Sequence, residues 1–114
     1  MKCSEYLWKR IQLDTVMPDA SPERIQGEMR LAMEQNGDPV IVSDTTGAVL
    51  TEREANSIYG RNYARLNEAY KLGKKSLFEL ICTNQQISDD EWEAAKEAVN
   101  ESTPQDGADM PEEG

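Results

Sequence analysis

The chain has 114 residues and a net charge of −10, and 38% of its residues are hydrophobic. Its length fits one compact domain, which we expect over residues 1–101, followed by a disordered acidic tail over residues 102–114. The sequence contains no histidine, so it lacks the commonest general base and the ordinary zinc ligand. It also has no P-loop, G-x-G-x-x-G or EF-hand pattern. We therefore predict a protein without enzymatic activity, cofactor or metal site.

The compartment is also constrained by the sequence. No apolar run approaches the ~20 residues that a membrane-spanning helix needs, and the first residues lack the pattern of a secretory signal. Cys3 and Cys82 lie far apart and form no C-x-x-C motif. These features predict a cytoplasmic protein with reduced thiols and no contact with a membrane.

Two helices are predicted in the first third of the chain. Ser4 is a candidate N-cap for a first, short helix. Ser21 and Pro22 mark the start of a second helix, with an N-cap residue followed by proline at the first helical position. Asn36 and Gly37 then supply the residues that commonly end helices.

A short β-hairpin is predicted next, over residues 40–50. The runs VIV and AVL are rich in β-branched residues and flank the sequence SDTTG. Asp44 and Gly47 are turn formers, so we expect the two runs to pair as antiparallel strands.

The stretch DPVIVSDTTGAVLTEREANSIYG, residues 38–60, resembles the opening of a PAS domain. In that family a strand of the form D-x-V-I-V leads through D-x-x-G into a second strand and then a helix. A PAS domain also needs three further long strands, whereas residues 61–114 show no alternation with period two. We therefore interpret the stretch as a hairpin followed by a helix. The matching positions are Asp38, Val40, Ile41, Val42, Asp44, Gly47, Val49, Asn56 and Gly60.

The third predicted helix is the longest. Thr51 and Glu54 form a capping box at its start, and Gly73 ends it after Leu72. An apolar stripe along this helix predicts the side that faces the core. The stripe consists of Ala55, Ile58, Tyr59, Leu66, Ala69 and Tyr70.

Two more helices complete the predicted fold. The run SLFELIC is the most apolar in the chain and predicts a buried helix over residues 76–82. Ser88 and Glu91 form a second capping box, and Ile87 can pack on Trp92 as a hydrophobic staple. The predicted fold class is α+β and mainly helical, with four to five short helices, one β-hairpin and a disordered acidic C-terminal tail.

The last helix carries the first candidate site, a row of acidic side chains. Such a row can occupy a basic groove on a protein, including a nucleic-acid-binding protein whose phosphate ligand it imitates. The alternative interpretation is that the acidic row has no binding role and only keeps the protein in solution. The acidic residues are Asp89, Asp90, Glu93, Glu97 and Glu101.

The stretch from Arg53 to Lys75 carries the second candidate site, a basic helix face. Basic residues interleaved with tyrosines can bind phosphates and stack on bases. The alternative is a solvated face that Glu54 and Glu68 partly neutralise. The face comprises Arg53, Arg61, Lys71 and Lys75, flanked by Arg65 and Lys74.

These features predict a small acidic, non-enzymatic regulatory or inhibitory protein that binds a protein partner with a basic surface. By composition it is similar to accessory proteins of phages and mobile elements. The alternative is a DNA- or RNA-binding regulator that uses the helix of residues 53–75. A third hypothesis is an enzyme or a sensory fragment.

Overall fold

The computed structural model describes the backbone of residues 1–102 and the side-chain surroundings of residues 1–98. This part of the chain is mainly helical with one antiparallel hairpin, which confirms the predicted fold class. Of the predicted tail, residues 103–114 lie outside the described residues. The described elements are, in chain order, α1 (Cys3–Val16), α2 (Pro22–Gln35), β1 (Ile41–Val42), β2 (Val49–Leu50), α3 (Glu52–Arg61), α4 (Tyr63–Leu72), α5 (Lys75–Thr83) and α6 (Asp89–Ser102).

Helix α1 is the element around which the core forms. It packs against α2, α3, α4, α5 and β1, and its Leu7 and Ile11 side chains are fully buried. Phe78 and Ile81 of α5 and Leu66 of α4 are fully buried in the same cluster. Each such side chain contributes about 1.5–3 kcal/mol by leaving water, so the α1 interfaces account for much of the stability.

The predicted helix ends are confirmed by their hydrogen bonds. The Ser21 hydroxyl accepts from the Arg24 amide at 3.1 Å at the start of α2. At the start of α3, the Thr51 hydroxyl accepts from the Glu54 amide at 3.1 Å, and the Glu54 carboxylate accepts from the Thr51 amide at 2.8 Å. Gly73 ends α4 with a φ of +73°, in the left-handed region that favours glycine.

The hairpin forms as predicted and pairs Ile41 with Leu50 and Val42 with Val49. The segment before α1 lies beside it, because the Val42 amide donates to the Met1 carbonyl at 2.9 Å. Strand β1 is therefore bonded on both edges, which satisfies backbone groups that an isolated two-stranded hairpin leaves open.

The role predicted for Ser4 is wrong. Helix α1 begins at Cys3 with Lys2 as its N-cap residue, so Ser4 lies inside the first turn. Its amide donates to Asp44 Oδ1 at 2.9 Å and its hydroxyl donates to Asp44 Oδ2. A carboxylate from the hairpin turn therefore binds a free amide at the helix N-terminus, where negative charge is favoured.

The single helix predicted for residues 51–72 is two helices, α3 and α4, which is why the chain has more helices than expected. Asn62 separates them with a φ of −117° and a ψ of 19°. Its side-chain amide donates to the Ile58 carbonyl at 3.2 Å, and such competition for backbone groups is why asparagine interrupts helices. The predicted apolar stripe still faces the core, since Ala55, Leu66 and Ala69 are fully buried.

The burial of Trp92 on α6 leads to a first prediction. Its side chain is only 3% exposed and lies close in sequence to Ile87, which is 7% exposed. Trp92→Ala should lower the free energy of unfolding by about 3–5 kcal/mol, because it leaves a large cavity. Urea titrations followed by circular dichroism measure the change.

Ser88→Ala is the matched control, because it removes only the cap of the same helix. It should cost about 1 kcal/mol. Equal, small losses for the two variants would contradict a core role for Trp92.

Candidate functional site

Helix α6, which carries the predicted acidic site, begins with the predicted capping box. The Ser88 hydroxyl accepts from the Glu91 amide at 3.1 Å, and the Glu91 carboxylate accepts from the Ser88 amide at 3.0 Å. The bond from the Ser88 backbone lowers the pKa of Glu91, so its charge is retained at the helix N-terminus, where it is favourable. This acidic residue therefore has a structural role.

The inner side of α6 packs against α5 and is joined to α4 by polar contacts. The Trp92 indole donates to Glu68 Oε1 at 3.0 Å, and the Lys96 ammonium lies 2.6 Å from Glu68 Oε2 and 3.0 Å from Glu93 Oε2. Hydrogen bonds from Lys96 and then Trp92 lower the pKa of Glu68. The same contacts with Glu68 and Glu93 raise the pKa of Lys96.

One ion pair joins the two sites that the sequence suggested as alternatives. Arg65 of the predicted basic face lies 2.6 Å from Asp89 of the predicted acidic row. Its guanidinium also donates to the Ile87 carbonyl at 2.7 Å and lies 5.7 Å from the centroid of the Trp92 ring. Arg65 and Asp89 therefore bind each other and hold the turn before α6.

The outer side of α6 presents the remaining acids to solvent. Asp90, Glu93 and Glu97 are exposed, and within the described residues Asp90 and Glu97 form no ion pair. Glu101 lies one further turn along the helix, and its side chain is outside the described surroundings. We call Asp90, Glu93 and Glu97 the outer acidic face.

The predicted basic face is divided among three helices. Arg53 lies on α3, Lys71 on α4 and Lys75 on α5, all exposed. Arg61, at the end of α3, donates to Gln85 Oε1 at 2.8 Å. Because α3 and α4 are separate helices, these residues do not share the single helix face that the sequence predicted.

Two lysines of this group take positions that the sequence did not predict. Lys74 is only 8% exposed, and its ammonium has no hydrogen-bond partner among the described residues. The Lys75 ammonium lies 5.2 Å from the centroid of the Trp8 ring, as a cation–π contact. The burial of Lys74 keeps its charge from a phosphate backbone, whereas Lys75 remains exposed beside Trp8.

Two clefts lie beside these residues. One, of about 360 Å³, is lined by the Arg61 and Arg65 guanidiniums, which already bind Gln85 and Asp89. The other, of about 330 Å³, places acidic and basic side chains around Trp8, so it favours no single ligand charge. Its lining comprises Met1, Lys2, Ser4, Glu5, Trp8, Asn36, Asp38, Lys75 and Glu79.

Sequence reasoning missed a polar network between α1, α2 and α3. The Tyr6 hydroxyl accepts from Gln26 Nε2 at 2.9 Å, and Asn56 Nδ2 donates to Gln26 Oε1 at 3.1 Å. Arg10 donates to Asn56 Oδ1 at 2.9 Å. Burial raises the pKa of Tyr6, so its hydroxyl stays protonated. The network joins three helices through their polar side chains, while Arg10 Nε is buried without a hydrogen-bond partner among the described residues.

An aromatic and acidic pair extends this network. Arg10 lies 4.6 Å from the centroid of the Tyr59 ring, and the Tyr59 hydroxyl donates to Asp14. Burial raises the pKa of Asp14, and the Arg10 charge opposes that shift. Only the apolar spacing of Tyr59 was visible in the sequence, since its partners come from a different helix.

The contacts of Glu68 lead to a second prediction, on pH dependence. Folding lowers the pKa of Glu68. The ionised Glu68 carboxylate therefore stabilises the fold above the ordinary glutamate pKa, and this stabilisation is lost as the pH falls through the pKa of Glu68 in the folded protein. Glu68→Gln should cost less than about 1 kcal/mol near neutral pH, because the pair is partly exposed. The difference in the free energy of unfolding between Glu68→Gln and wild type should become smaller toward about pH 3.

Urea titrations at both pH values measure this difference. Glu97→Gln is the control, because it also replaces one carboxylate by an amide, on α6, where Glu97 forms no ion pair among the described residues, and its effect should be smaller. A loss of stability for Glu68→Gln that stays constant with pH would contradict the ion-pair role of Glu68.

Some kinds of site are absent from residues 1–102. No three His, Cys, Asp or Glu side chains in this part lie close enough together to hold a metal ion. None of its helices is both long enough and apolar enough to span a membrane. No family model, curated protein or solved structure matches the chain.

Proposed function

We propose that the protein acts without catalysis, by binding a basic surface of a partner protein through the outer acidic face of α6. The observation that carries this proposal is the division of α6 into two sides. The inner side is occupied by Trp92 and the contacts of Glu68, whereas Asp90 and Glu97 on the outer side have no ion-pair role among the described residues.

The pairing of cations supports the acidic face over the basic one. Arg30 is held by Glu52 through two bonds of 2.8 Å, and Arg65 and Lys96 are held by Asp89 and Glu68. These pairs engage three of the 12 lysine and arginine residues within the molecule, and the net charge of the chain is −10. Attraction to a basic partner follows, together with repulsion from nucleic acid.

The attachment of α6 also favours binding. The capping box and Trp92 fix the helix before a partner arrives, so the backbone that carries the carboxylates is already ordered. A preordered surface loses less conformational entropy on association. Complementary charge mainly accelerates encounter, and salt weakens it because charges are screened beyond about 8–10 Å near physiological ionic strength.

A regulatory or inhibitory role is part of this proposal, because a protein that only binds acts by covering a surface of its partner. We also propose a cytoplasmic location, where the glutathione pool keeps thiols reduced in the resting state. The DNA- or RNA-binding role remains the alternative proposal. It depends on Arg53, Lys71 and Lys75, which are exposed but lie on three different helices.

Charge reversal tests the proposed surface. Asp90→Lys with Glu97→Lys should abolish the capture of basic proteins in crosslinking pull-downs from the native cell, read by mass spectrometry. Asp19→Lys with Glu34→Lys is the matched control, since it makes the same change in net charge at exposed positions away from α6. The control should retain the partners that wild type captures. Equal loss of capture in both variants would contradict a role specific to α6.

Binding to nucleic acid is tested separately by fluorescence anisotropy with random duplex DNA at two salt concentrations. The proposal predicts no binding at micromolar protein. Binding that disappears on Arg53→Glu with Lys71→Glu would favour the alternative. In that case each single variant should reduce the salt slope by about 0.9 for every phosphate that it no longer neutralises.

A further inference from the structure

The structure brings together the two cysteines that the sequence keeps far apart. Cys3 is the first residue of α1 and Cys82 lies in the last turn of α5, and these helices pack against each other. Trp8 contacts Lys75 and Phe78, and about one turn earlier on α1 Glu5 shares a cleft with Glu79 of α5. The two helices therefore run antiparallel and bring Cys3 to the same end of their interface as Cys82, where each thiol influences the pKa of the other. Cys3 is 1% exposed, whereas Cys82 is partly exposed. The pair therefore has one sulfur in the core and one within reach of solvent.

The surroundings of the pair make the two thiols unequal. The hydrogen bond from Cys82 lowers the pKa of Cys3, while burial and the Asp44 carboxylate oppose that effect. The bond to Cys3 raises the pKa of Cys82, and burial, Asp44 and Glu79 raise it further. Cys3 also lies at a helix N-terminus, which favours a thiolate. Cys3 is therefore the better internal nucleophile and Cys82 the more accessible sulfur.

We propose that Cys3 and Cys82 form a reversible disulfide by exchange with a low-molecular-weight disulfide such as glutathione disulfide. The contact between the thiols carries this inference. A disulfide requires the two sulfurs to approach to about 2.05 Å, and both lie on helices that are already packed together. Two cysteines that share a buried contact react with each other more readily than with a second protein molecule.

The exchange proceeds in two balanced steps. The Cys82 sulfur, after losing its proton, attacks glutathione disulfide, forms a mixed disulfide and releases one glutathione thiolate, which takes up that proton. The Cys3 thiolate then attacks the Cys82 sulfur and displaces the second glutathione, which takes up the Cys3 proton. Overall, two protein thiols are oxidised to one disulfide and one glutathione disulfide is reduced to two glutathione molecules.

The bond would link the start of α1 to the end of α5 and so constrain most of the chain in its unfolded state. Restricting the unfolded ensemble is how a disulfide stabilises a protein, and the effect grows with the length of the closed loop. The oxidised protein should therefore melt about 10 °C or more above the reduced protein.

The experiment incubates the purified full chain with glutathione disulfide and then blocks free thiols with iodoacetamide. Intact mass spectrometry should show a monomer that has lost two hydrogen atoms and takes up no iodoacetamide. Trypsin digestion without reductant should give the peptides of residues 3–9 and 76–96 joined by a disulfide. Dithiothreitol should reverse both results and the increase in melting temperature.

Two variants complete the test. Cys82→Ser should retain one free thiol and show no rise in melting temperature on oxidation, and Cys3→Ala should stop at the mixed disulfide of Cys82 with glutathione. Because the wild-type digest reads the link directly, the proposal is testable even where a variant fails to fold. It is overturned when wild type forms only glutathione adducts, only disulfide-linked dimers, or no disulfide.

Discussion

The burial of α1 is the constraint on which the rest of the structure depends. A chain with 38% hydrophobic residues has too little apolar surface for several independent interfaces, and one helix therefore serves as a common partner. Leu7 and Ile11 are fully buried, and four other helices and a strand pack on the helix that carries them. The polar network of Tyr6, Gln26 and Asn56 then fixes how α2 and α3 approach it.

Several cations form ion pairs within the molecule, whereas Asp90 and Glu97 form none among the described residues. Arg65 and Lys96 neutralise carboxylates at the α4–α6 contact, and Arg30 neutralises Glu52 on α3. The proposal of a basic protein partner rests on this arrangement rather than on the number of acidic residues.

The sequence predicts those features that depend on neighbouring residues. The capping boxes at Thr51 and Ser88 and the left-handed Gly73 involve residues within a few positions of one another, so the pattern of residue types was sufficient. Apolar spacing likewise placed Leu66 and Trp92 in the core. Local chemistry and helical periodicity therefore account for the predicted fold.

Features that depend on distant residues were not predictable. Ser4 was expected to cap α1, but the capping group is the Asp44 carboxylate from the hairpin. The break at Asn62 required knowing that its amide would bond to a backbone carbonyl in a buried position. The contact between Cys3 and Cys82 follows from helix packing alone. The candidate sites changed for the same reason, since the Arg65–Asp89 pair joins segments that the sequence separates.

The attachment of α6 has a consequence for the local stability of the molecule. Ile87 and Trp92 are the nearly buried apolar side chains of this region, and its other contacts with α4 are polar and near solvent. Elements with few apolar anchors open at lower free energy than the global unfolding transition. Backbone amides of α6 should therefore exchange with solvent as a group before those of α1. A ligand that binds α6 while it is packed on the rest of the molecule would slow this amide exchange. Binding to the outer acidic face would therefore be detected in the exchange rates of α6 amides on the inner side of the helix.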